Sequence, residues 1–143
     1  MIIVGYRGYV SSRTFFGERV PQHVQNIVIR HYCEGNNLQY LLSGVEVAIP
    51  GMYFMLNQVI AELHKIDGIV CYSLFQLPES IERRKRIFDE IVDSGKTMHF
   101  ALEMLRVENK VDISKLNDIF SVKNSMQYCS SDCFTNDVVN SRF

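Results

Sequence analysis

The stretch "GIVCYSLF" (68–75) constrains this chain more than any other. It is an uninterrupted apolar run of strand length, rich in β-branched and aromatic residues. Such a strand is buried on both faces, which is the condition of a parallel sheet between helices rather than of a one-sided hairpin. The flanking sequence supplies the rest of that architecture. "MIIVGY", extending through "YV", reads as a first strand, and "LQYLLS" (38–43) as a second. "TMHFALE" (97–103) reads as a fourth, after the run at 68–75. Between them lie helical patterns. Val24, Ile27 and Val28 follow Pro21 at helical spacing until "EGNN" (34–37) stops them. Met52, Met55, Leu56, Val59, Ile60 and Leu63 form a stripe after Pro50. A helix starts at Pro78 and Ser80 and runs to about Val92, with Glu79 and Glu82 in the first turn, where the helix dipole favours acids. Ile81, Ile87 (or Arg84), Phe88, Ile91 and Val92 mark its inner face, and "ERRKR" (82–86) lies mostly outward. A short helix is expected near "DISKLNDIF" (112–120).

The alternation predicts a single α/β domain over 1–120, a doubly wound, mostly parallel sheet of four to five strands in flavodoxin-like order. From Ser121 the composition turns to Ser and Asn without periodicity, and residues 121–143 are expected to be a tail, partly disordered or packed on a partner. No apolar run approaches the roughly 20 residues of a membrane span, and the start lacks the pattern of a signal peptide. A cytoplasmic protein is the expectation. The formal net charge of −1 argues against a nucleic-acid partner held by broad positive charge. "CSSDC" (129–133) offers two sulfurs and no matching pair elsewhere, so no metal is expected, and no nucleotide fingerprint calls for a cofactor. A homodimer is compatible with a small domain of this class.

In an open α/β sheet, ligands bind beyond the carboxyl ends of the strands. That edge collects Ser11, Ser12 and Arg13 after the first strand, and Ser43 and Glu46 after the second. Tyr72, Ser73 and Gln76 follow the third, and His99 and Glu103 belong to the fourth. The first loop, about ten residues long, exceeds the usual two to six. It leads to a helix start with free N–H groups suited to an anion. Arginines are the only cations before Lys65, and residues 1–45 carry +2. Guanidinium forks suit phosphate or carboxylate, so Arg13 and Arg19 are candidate anion holders, with Gln22 beside them. His23 serves either as a general acid or base or as a helix cap. Glu46 and Glu103 either reach the cleft as bases or sit in turns. His99 either packs in the core or faces the cleft.

Two resemblances follow from these strings. "GYVSSR" after a first strand, a helix bearing Gln22 and Gln25, and then "GIVCYSLFQLP" is similar in order to the serine recombinase catalytic domain. That resemblance implies Ser11 as the counterpart of the nucleophile. Tyr9, however, stands where the family has an arginine, and "SLFQLP" stands where it has an Asp-Arg pair and a further arginine. It therefore implies the fold rather than DNA cleavage. "YRGYVSSR", "GERVPQHVQNIVIRHYC", "LQYLLS", "IDGIVCYSLFQLPE", "RR" (83–84) and "HFALE" together resemble the sporadic carbohydrate cluster proteins. This second resemblance implies a role in surface-sugar biosynthesis of the lipopolysaccharide O-antigen kind. On that reading the partner is an anionic sugar derivative, phosphorylated or nucleotide-linked. Arg13 and Arg19 would bind its anionic part, with Gln22, Glu46, Ser73, Gln76 and His99 around it. Ser11 or Ser12, His23, Tyr72 and Glu103 would handle hydroxyls or protons. A non-catalytic binding or scaffold module, using the "ERRKR" face and the tail, is one alternative, and a serine recombinase-like protein that acts on DNA through Ser11 is the less favoured other.

Overall fold

A computed structural model describes residues 5–12, 14, 19–47, 49, 51–123 and 125. Among the described residues the α-helices and strands follow in this order: β1 (Tyr6–Ser11), α1 (Gln22–Gly35), β2 (Tyr40–Glu46), α2 (Phe54–Ala61), β3 (Gly68–Cys71), α3 (Ile81–Asp93), β4 (Thr97–Phe100), β5 (Leu105–Val107) and α4 (110–123). The strands form one sheet in the order β2-β1-β3-β4-β5. The first four are parallel and β5 returns antiparallel to β4. This is the flavodoxin-like order expected from the alternation, with an antiparallel edge added.

β3 lies at the centre, every one of its residues buried, as its composition requires. On one face α2, α3 and α4 bury Leu56, Val59, Phe88, Ile91, Leu116 and Phe120 against Tyr9, Ile69 and Met98. On the other, α1 packs Ile29 and Cys33 over Val10, Val70 and Tyr72. Gly68 makes the β3–β4 approach possible, because a Cβ there would run into the Thr97 carbonyl and the Tyr6 ring. The α3 boundaries follow local chemistry. Ser80 caps the start by accepting from the Arg83 N–H. Gly95, at φ +72°, ends the helix in the left-handed conformation that glycine adopts at no steric cost.

Three elements depart from the sequence reading. β3 stops at Cys71 instead of Phe75, because residues 74–76 wind into a 3₁₀ turn capped by Ser73. β4 stops at Phe100, and a turn with Met104 at φ 56° reverses the chain into β5. α3 departs at Ile81, expected on its inner face but 58% exposed, while Arg84, the alternative to Ile87 on that face, is 2% exposed. Its guanidinium donates to the carbonyls of Pro78 and Glu79 and to Asn117, and lies 3.8 Å from the centre of the Phe120 ring. Residue 84 thus fastens α4, through the Asn117 amide and the Phe120 ring, to the backbone carbonyls at the start of α3, without a carboxylate.

Candidate functional site at the carboxyl edge of the sheet

One side chain of α1 ties the end of β1 to the turn after β3, and that turn is bonded in its own right to the residue after β4. Gln25 is fully buried, and its amide is used at all four positions. The Oε1 accepts from the Ser11 N–H (3.1 Å) and from the Gln76 amide (2.7 Å). The Nε2 donates to the carbonyls of Ser11 and Val20, both at 2.8 Å. Gln76 in turn accepts from the Ser73 N–H, and the Ser73 hydroxyl donates to Glu103 (2.7 Å). Glu103 also accepts from the Leu74 N–H, so its carboxylate holds the start of the 3₁₀ turn. The chain Ser11–Gln25–Gln76–Ser73–Glu103 therefore crosses three loops and clamps the end of β1.

Ser12 stands at the rim, half-buried, with its N–H and hydroxyl both donating to the Glu46 carbonyl (3.2 and 3.0 Å). The Glu46 carboxylate faces elsewhere. It is 1% exposed and accepts from the Tyr9 hydroxyl and from the N–H groups of Met55 and Leu56. An acid there satisfies two orphan donors of α2 and meets the positive end of its dipole. Glu46 and Glu103 each hold a helix start rather than stand free in a cleft.

Of the other candidates, Tyr72 is buried in the core beneath α1. His99 belongs to the core alternative. Its ring meets the Tyr32 hydroxyl (2.7 Å), the Thr97 hydroxyl (3.2 Å) and the edge of Tyr6. Burial, aided by the nearby Arg106 charge, pushes its pKa down to about 4. Arg19, Gln22 and His23 lie exposed before and within the first turn of α1, outside the network among the described residues. Arg13 and the tail with Cys129 and Cys133 lie outside the described residues. Arg7 is bonded to Glu62 (2.6 Å) and to the Leu42 carbonyl. No three His, Cys, Asp or Glu side chains converge as a metal site among the described residues, and none of their helices is long and apolar enough to cross a membrane. Gln25, the centre of the network, was legible only as one of two glutamines on a helix. The signal that marks it is its place three residues after the exposed Gln22, on the face shared with Ile29.

This architecture is that of a resolvase-like α/β domain. It is similar to a resolvase family site-specific recombinase from Streptococcus pneumoniae, with a TM-score of 0.59 at 10% identity, over 96% of this chain and 99% of that one. It is also similar to the N-terminal catalytic domain of TP901-1 integrase, with a TM-score of 0.58 at 14% identity, over 85% of this chain and 96% of that one. No family of known proteins matches the sequence, and no curated protein does. These findings correct the functional expectation. The resemblance to carbohydrate cluster proteins has no support, and surface-sugar biosynthesis with an anionic sugar partner gives way to neighbours named for recombination and integration. The argument from net charge against a nucleic-acid partner is overturned with it. Net charge sums the whole surface, whereas a nucleic-acid site needs only a local excess of cations.

Proposed function

We propose that this chain acts on DNA, with Ser11, which is fully buried at the end of β1 and must be uncovered to react, as the group that attacks a phosphodiester. The observation that supports the reading is the fold likeness, which spans nearly all of a recombinase chain and of an integrase catalytic domain; Ser11 ends β1 at the carboxyl edge of the sheet. In the step, the Ser11 oxygen bonds to phosphorus and the bond to one deoxyribose oxygen breaks. The serine proton ends on that leaving oxygen. Gln25 acts as a positioning residue, since it grips both backbone groups of Ser11. Charge must be neutralised at the phosphoryl group. Arg13, two positions after Ser11, and Arg19, just before α1, are the candidate cations for that task; Arg7, four positions before Ser11, is already paired with Glu62.

The test is incubation with supercoiled DNA, a denaturing quench, and mass spectrometry of DNA-linked peptides. A phosphoserine link at Ser11 that Ser11→Ala removes and Ser12→Ala keeps is the expected result. A second reading is favoured by the amide bonds at Ser11: a domain that binds DNA without cutting it. Duplex binding with no covalent link would select that reading.

A further inference from the structure

Away from the serine edge, a cavity of about 440 Å³ opens between α2 and α3. Its volume falls in the range of small-molecule sites. Its walls divide by chemistry. Arg83 and Arg86, one turn apart on α3, supply two guanidinium groups, while Ile60 and Ile87 supply an apolar floor. Tyr53 and Asn57 close the α2 side. The Arg83 guanidinium lies 5.2 Å from the centre of the Tyr53 ring and donates to the Gly51 carbonyl (3.3 Å). Arg86 has no carboxylate within ion-pair distance among the described residues. Glu90 is the single acid on the lining, and α2 contributes none, so the cavity carries an excess of positive charge.

We infer that this groove binds a nucleotide, with the phosphate on Arg83 and Arg86 and the base on the Tyr53 and Ile87 side. Three features favour that class. Two guanidiniums on adjacent turns suit a tetrahedral anion with several acceptor oxygens. An apolar floor beside an aromatic ring suits a base, which every nucleotide presents as a π face. The Asn57 amide offers a donor and an acceptor for its edge. The nucleotide is either free or a unit of a DNA strand. The inference rests on the DNA reading only for that second source, and it does not involve Ser11.

The experiment uses the full chain with two probes, free dAMP and a fluorescein-labelled DNA duplex. Binding is followed by calorimetry and by anisotropy across a salt series, for the wild type and for the double variant Arg83→Gln, Arg86→Gln. Both arginines are surface groups, and circular dichroism verifies the fold. The expected result for DNA is at least tenfold weaker binding of the double variant, with its salt slope smaller by about 2, one for each lost phosphate contact. For dAMP it is loss of the calorimetric signal. Wild-type DNA binding that the variant keeps, with no dAMP binding, overturns the groove and leaves the DNA reading standing. Arginine-dependent dAMP binding without any DNA binding does the reverse: it upholds the groove as a free-nucleotide site and removes the DNA reading. Failure to bind either probe overturns both.

Discussion

Replacing Gln25 by Met tests whether the amide network, rather than apolar packing alone, holds the β1 edge. Methionine matches the length of glutamine but bonds to none of the groups that Gln25 reaches. Four hydrogen bonds disappear together: from the Ser11 N–H, to the Ser11 carbonyl, to the Val20 carbonyl, and from the Gln76 amide. Each buried neutral bond contributes roughly 1 kcal/mol net, and a polar group left buried without a partner costs about 1–3. Losses in one network are not independent, so a total near 4 kcal/mol is the expectation. That is a large share of the roughly 5–15 kcal/mol that holds a domain together. The comparison is Gln22→Met, one turn earlier on α1 and exposed, for which a surface change within about 0.5 kcal/mol is expected. Urea unfolding followed by circular dichroism measures both, provided the m-value is unchanged. A cost below about 1 kcal/mol for Gln25→Met, or equal costs for the two variants, would refute the network as the clamp.

Two further outcomes are expected. His99 has a folded pKa near 4, below its ordinary 6.5, so the unfolded chain takes up its proton first as pH falls. Stability is therefore lost between about pH 6.5 and 4, by up to about 3 kcal/mol. His99→Gln should remove that part of the acid sensitivity, and equal pH dependence of wild type and variant in urea midpoints would show the assignment to be wrong. Gly68→Ala should cost several kcal/mol, on the order of other overpacked cores, because its Cβ meets the Thr97 backbone carbonyl, which cannot swing away as a side chain could. A thermal midpoint within a degree of wild type would refute that contact.

Much of the fold was readable because it follows from local pattern. The apolar run at 68–71 cannot sit at an edge, and the Pro, Ser and Gly signals bracket α1 and α3 where the helices begin and end. What escaped the sequence was set by partners far along the chain. The end of β3 depends on Ser73 meeting Glu103, thirty positions away. Glu46 is the sharper case. β1 and β2 pair Arg7 with Leu41 but Tyr9 with Gly44, so β2 spends one extra residue opposite Gly8. Side chains alternate along a strand, so one added residue sends everything after it to the other face. Tyr40 packs toward α1 and Leu41 toward α2 and α3. Strict alternation would turn Glu46 with Tyr40 toward α1. The slip turns it toward Tyr9 and the N–H groups of α2 instead. Leu42, within the slip, is left 79% exposed with its carbonyl bonded to Arg7. Alternation read from β2 alone cannot reveal this, because the extra residue exists only relative to β1. A carboxylate that looks like a base at a strand end thereby becomes the cap that fixes where α2 starts.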